Sequence, residues 1–169
     1  MPVRILVDAD ACPVKEEIYR VAARREVMVS VVSNSPFRVP VGPLVERVVV
    51  HGGFDAADDW IAERAALRQA QNERTVVVTA DILLADRCLK AGATVLAPTG
   101  KPFTRASIGG AIATRAIMAD LRSGLGPKSE GGIGGPAPFA KADRSRFLQA
   151  LDEALVRLGR MGLIGRQSS

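Results

Sequence analysis

The chain has 169 residues, 47% of them apolar and 24% charged, which excludes a wholly disordered chain and suits one domain with a core of its own. Its longest aliphatic runs, 48–50 and 76–78, fall far short of the ~20 residues that span a bilayer, and no charged-then-apolar leader precedes them. Two cysteines make no disulfide framework, a single histidine excludes a site of several His ligands, and the expectation is a cytoplasmic protein without a membrane segment.

Residues 4–7 predict a buried strand. Pro13 suits the first turn of a helix, and Val14, Ile18, Val21 and Ala22 recur at helical spacing up to Arg25. Residues 27–32 predict a second strand. Pro36, Pro40 and Pro43 make 33–43 a loop, and 44–50 predicts a third strand. Gly52 and Gly53 break it, and a helix over 56–69 carries Trp60, Ile61, Ala65 and Leu67. A strand over 75–79, a helix over 82–91 capped by Gly92, and a strand over 94–96 follow. Beyond Pro98 come a helix over 108–122, a Gly/Pro-rich stretch over 124–138, and an amphipathic helix over 142–158. Alternating helices and continuously apolar strands predict an α/β fold with a mainly parallel sheet. One domain is expected over 1–160, with 161–169 a disordered tail.

The aspartates fall at telling places. Asp8 and Asp10 follow the first strand, Asp55, Asp58 and Asp59 open the helix after Gly52-Gly53, and Asp81 follows the fourth strand with Asp86 five residues on. Sites in open α/β sheets form outside the carboxyl ends of the strands, so Asp8, Asp10 and Asp81 project toward one rim. Gathered carboxylates repel each other, and a bound Mg²⁺ or Mn²⁺ offsets that repulsion with the hard oxygen ligands it prefers. Each acid also has a plainer reading. Asp10 and Asp81 suit helix caps, Asp55 suits a turn or cap, Asp58 and Asp59 suit a first helical turn, and Asp86 suits a surface ion pair. Cys12, near a helix start, reads as a small buried residue, since neighbouring acids raise a thiol pKa.

Four segments resemble the YaiI/YqxD family of bacterial proteins. They are Asp8-Ala-Asp-Ala-Cys-Pro-Val-Lys15, Gly53-Phe-Asp-Ala-Ala-Asp-Asp-Trp-Ile61, Thr79-Ala-Asp-Ile-Leu-Leu-Ala85 and Gly134-Gly-Pro-Ala-Pro-Phe139. The resemblance implies a three-layer PIN-like domain, a module in which a carboxylate cluster often serves Mg²⁺- or Mn²⁺-dependent ribonucleases. It makes Asp8 the acid ending the first strand, Asp58 or Asp59 the acid on the middle helix, and Asp81 the acid after the later strand. Asp86 matches the fourth acid less well, and Asp10 belongs to the YaiI/YqxD motif itself. Ala140 stands where the family more often has serine, and 126–132 reads as an insertion.

Charge adds a substrate class. Residues 1–99 hold 12 Lys/Arg against 13 Asp/Glu, and residues 100–169 hold 11 against 5. A basic part beside an acidic site suits a polyanion, with Asn34, Arg38, Arg115, Lys141 and Arg144 as candidate phosphate contacts and Arg122 and Arg146 nearby in sequence. The same residues suit a solvated surface equally well. The leading expectation is a metal-dependent phosphodiesterase acting on RNA or another nucleic acid, with Asp8, Asp10 and Asp81 catalytic and Asp8, Asp58, Asp59, Asp81 and Asp86 holding metal. A haloacid-dehalogenase-type phosphatase with Asp8 as nucleophile, and a non-catalytic nucleic-acid-binding module, are the alternatives.

Overall fold

The computed structural model describes residues 3–40, 42–53, 55–110, 112 and 140–167. Three apolar runs form the centre of a sheet because both of their faces avoid water. These are β1 (Val3–Asp8), β2 (Met28–Ser33) and β4 (Arg74–Val78), each buried over at least four consecutive residues. β3 (Val45–Val49), more polar and more exposed, and the short β5 (Thr94–Leu96) form the flanks. All five strands pair in parallel in the order β3-β2-β1-β4-β5. Leu6 lies beside Ser30 on one side and Val77 on the other.

Alternation along each strand feeds two cores. On one face Ile5, Val7, Val29, Val31, Val76 and Val78 meet α1 (Lys15–Arg25) and α4 (Lys141–Gln167) through Ile18, Val21, Phe147, Leu151 and Leu155. On the other, Leu6, Val32, Val77 and Val95 meet α2 (Ala56–Ala70) and α3 (Ile82–Lys90) through Ala57, Ile61, Ala65, Leu84 and Cys88. Each large aliphatic chain so buried contributes roughly 1.5–3 kcal/mol. The expected α/β architecture of a parallel sheet between helical layers is the one observed. α1 and α4 run in the same direction, pinned near one end by Arg144–Glu17 at 3.0 Å and near the other by Arg25–Asp152 at 2.8 Å.

Element ends differ from the sequence reading in a few places. A 3-10 turn over Ala9–Ala11 delays α1 to Lys15, so Pro13 sits in the turn before it. The helix expected from 108 begins at 105, because Thr104 and Ser107 exchange side-chain-to-backbone hydrogen bonds of 2.9 and 3.1 Å around its first turn. Residues 105–110 and 112 are helical; Arg115, Arg122 and the expected 124–138 loop lie outside the described residues. α4 continues through 161–167, read from sequence as a disordered tail; no proline is there to stop it. No helix among the described residues is long and apolar enough to cross a membrane.

The topology itself marks a position. From β1 the chain steps outward to β2 and β3, then returns to β4 on the opposite side of β1. This reversal opens a crevice between the carboxyl ends of β1 and β4, where doubly wound sheets bind ligands.

Candidate active site

Asp8 ends β1 at this crevice and is 7% exposed. A carboxylate so placed needs a donor, and Thr79, one residue past β4, supplies it: its Oγ1 donates to Asp8 Oδ2 at 2.8 Å. The same Thr79 oxygen accepts from the Asp81 backbone N–H at 3.0 Å, so one fully buried hydroxyl joins both acids across the switch point. Asp81 also caps α3, its Oδ1 accepting from the N–H groups of Leu83 at 2.9 Å and Leu84 at 3.2 Å. The cap reading of Asp81 therefore holds, and its place beside Asp8 holds with it.

Asp10 lies in the 3-10 turn after β1. Ser33, the buried last residue of β2, donates its hydroxyl to Asp10 Oδ1, and the Asn34 N–H reaches Asp10 Oδ2 at 3.4 Å. Asn34 Oδ1 in turn accepts from the Ala57 N–H at 3.1 Å, which ties this loop to the first turn of α2.

α2 decides between its two adjacent aspartates. Asp58 is half-buried and turned toward the crevice, and its carboxyl is pushed up to about 6, first by burial and then by the charges of Asp8, Asp81 and Asp55, against a lowering by Arg87. Asp59 faces outward and pairs with Arg87 on α3 at 2.9 Å. Asp86 pairs with Lys90 one turn on, at 2.9 Å. Asp8 is likewise raised, chiefly by burial, with Asp10 and Asp81 adding to the rise and the Thr79 hydrogen bond opposing it. The structure thus brings Asp8, Asp10, Asp58 and Asp81 into one mutually repelling field and directs Asp59 and Asp86 to cationic partners. Among the described residues no three His, Cys, Asp or Glu side chains close to coordination distance.

The basic candidates separate as well. Arg38 and Lys141 are exposed. Arg144 is engaged in structure: its Nη1 donates to Pro13 O at 2.8 Å and to Glu17 at 3.0 Å, which locks the start of α4 to the start of α1. Arg115 lies outside the described residues. Cys12 is buried, and its thiol is pushed up to about 11, mainly by that burial, so it stays protonated at neutral pH.

Thr79 and Ser33 were not among the sequence candidates. Their signal was present: each is the polar residue that closes a run of buried valines at a carboxyl strand end. A hydroxyl there has no apolar role, and a neighbouring carboxylate gives it one.

The comparisons with known proteins place the chain in a family. A family model described as an uncharacterized bacterial YaiI/YqxD family matches residues 6–157. The chain belongs to that family. A UPF0178 protein of Sphingopyxis alaskensis is 72% identical over 156 residues, covering 92% of this chain and 95% of its own. UPF0178 proteins of Bradyrhizobium diazoefficiens and Nitrobacter winogradskyi are 58% and 55% identical, each over 94% of this chain and over 89% and 94% of theirs. No solved structure matches the chain. The matched span includes every acid of the site and both hydroxyls that orient them.

Proposed function

We propose that this family member is a divalent-metal-dependent phosphodiesterase whose substrate is RNA, working at the carboxyl rim of the sheet. The observation that carries this reading is the gathering of acids at the topological switch point, where Asp58 is held up at about 6, first by burial and then by the charges of Asp8, Asp81 and Asp55. A fold stabilises such repulsion only at a cost, and clustered acids of raised pKa mark functional clefts.

The donor set fits the ion. Asp8, Asp10, Asp58 and Asp81 offer carboxylate oxygens alone, the chemistry of Mg²⁺ or Mn²⁺ rather than of softer metals. When bound, such an ion supplies charge neutralisation at a phosphoryl group and a more acidic water. The chain's own residues do the rest. Thr79 fixes the orientation of Asp8 through Oδ2. Ser33 fixes Asp10. Asp81 commits Oδ1 to the α3 cap, which orients its carboxylate. Asp58, raised in the metal-free chain first by burial and then by its acidic neighbours, is the acid that would gain most from the neutralisation a bound cation supplies. Arg38 and Lys141, both exposed, are the phosphate contacts for the flanking strand.

The test incubates end-labelled single-stranded RNA with the full chain in Mn²⁺, in Mg²⁺ and in chelator. The reading expects cleavage in either ion, none in chelator, and none for Asp8→Asn. Binding of RNA with steep salt dependence and no turnover in either ion would make the protein a non-catalytic nucleic-acid-binding module instead. A covalent aspartyl-phosphate on Asp8, trapped with a phosphate analogue, would make it a phosphatase.

A further inference from the structure

The acids of the rim come from three separate elements, and something has to set the distance between them. Asp8 and Asp81 are joined through Thr79. Asp58 stands on α2, whose approach runs through Gly52 at φ 121 and Gly53 at φ 113, backbone with little intrinsic stiffness. The N-cap residue Asp55 makes no side-chain cap hydrogen bond. The lead-in supplies one acceptor, Gly53 O, to the Ala56 N–H at 3.2 Å, and the next first-turn N–H groups need acceptors from elsewhere. One comes from a residue 23 positions away: Asn34 Oδ1 accepts from Ala57 N–H at 3.1 Å, while Asn34 N–H reaches Asp10 Oδ2 at 3.4 Å. Ser33 Oγ, bonded to Asp10, also accepts from Ser35 N–H at 3.1 Å, so the loop that presents Asn34 is itself organised by the acid. Ala57 is buried against the sheet, and Asp58 is the next residue.

We infer that Asn34 is a positioning residue that couples Asp10 to the start of α2 and so sets the place of Asp58 relative to Asp8. This deepens the metal-dependent reading and rests on it for its consequence, while the coupling itself is a property of the fold. An oxygen at this position is what matters, since Ala57 needs an acceptor. Asn34 thus acts through Ala57 and Asp10.

The experiment compares wild type, Asn34→Ala and Asn34→Asp as full chains. It reads amide hydrogen exchange at Ala57, Mn²⁺ affinity by calorimetry, and thermal midpoint as a check of folding. For Asn34→Ala, exchange at Ala57 should rise roughly tenfold, the scale of a lost helix-cap acceptor. Mn²⁺ affinity should fall about tenfold or more, the scale of removing a residue that orients a ligand. Asn34→Asp keeps the oxygen and should restore protection at Ala57 to within about twofold, because Asp caps a helix as well as Asn does. Wild-type exchange at Ala57 in Asn34→Ala, or an Asn34→Asp that exchanges as fast as the alanine variant, overturns the inference. So does an unchanged Mn²⁺ affinity alongside faster exchange, because the anchor would then not govern the acids. A wild type that binds no Mn²⁺ sinks the proposed activity instead, and exchange at Ala57 still decides whether Asn34 holds α2. If Asn34→Ala does not fold, Asn34→Ser, whose shorter side chain withdraws the acceptor, takes its place with the same expectations.

Discussion

The two ends of the sheet each bury a charge, and they treat it in opposite ways. At the amino end Arg68, 7% exposed, meets an ion-pair partner in Glu73, a hydroxyl of Thr75 at 2.8 Å and the Arg74 carbonyl at 2.7 Å. At the carboxyl end Asp8, also 7% exposed, accepts from one hydroxyl and lies in the repelling field of Asp10, Asp81 and Asp58. A buried charge neutralised from within the chain is a structural device. A buried charge surrounded by its own sign calls for neutralisation, by a proton or by a cation from outside the chain. The same sheet therefore carries a closed charge at one rim and an open one at the other, and the open rim is where the strand order reverses.

The sharpest way to break this contrast is to remove the charge at each end. Asp8→Asn should abolish metal-dependent cleavage, a loss of about 10³-fold or more in rate on the scale of removing a central electrostatic group. A residual activity within tenfold of wild type in a gel-based cleavage assay would remove Asp8 from the site. At the other end Arg68→Met should cost about 3 kcal/mol, because it strands the Thr75 hydroxyl and the Arg74 carbonyl and leaves Glu73 unpaired. Urea denaturation measures that, and a loss under about 1 kcal/mol would mean the amino rim is not held by this network.

Asp58→Asn sharpens the contrast by its sign. Relieving like-charge repulsion should stabilise the metal-free protein by about 1 kcal/mol at neutral pH while impairing activity. The pH dependence follows from the raised carboxyl. Between the ordinary value of 3.8 and about 6 the folded chain holds the Asp58 proton more tightly than the unfolded chain does. Asp58 therefore lowers stability as pH rises through that window, with its full effect above about 6. Thermal midpoints across about pH 4–7 should fall less steeply in Asp58→Asn than in wild type. A slope equal to wild type would mean that Asp58 is not under this field. The smallest effect belongs to Asp59→Asn, whose carboxylate and Arg87 partner are both about half exposed. That pair should change stability by roughly 0.5 kcal/mol or less. Mn²⁺ affinity should stay at the wild-type value, which calorimetry on the variant checks.

Much of this rim was legible in the chain. Aspartates directly after the apolar runs at 4–7 and 75–79 had to emerge at carboxyl strand ends once the strands were parallel. The choice between Asp58 and Asp59 was also written there, in the phase of α2. Asp58 stands four residues before Ala62, which is buried, and Asp59 four before Glu63, which is exposed. The ties among the acids were not legible. Thr79 and Asp8 are 71 residues apart, and their contact exists only because β1 pairs with β4 in one register. Asn34 read as a candidate phosphate contact in a loop, and its place as an acceptor for α2 depends on β2 ending beside that helix. Arg144 read as a phosphate contact for the same reason in reverse: no local pattern announced that Glu17 would lie within reach of it.

The central claim is that the carboxyl rim is an open negative site completed by a divalent cation. Calorimetric titration of Mn²⁺ into the full chain at neutral pH, for wild type and Asp8→Asn side by side, tests it most directly. The account predicts saturable binding by wild type that is lost in Asp8→Asn. Equal binding by the two proteins, or none by wild type at millimolar Mn²⁺, would contradict it.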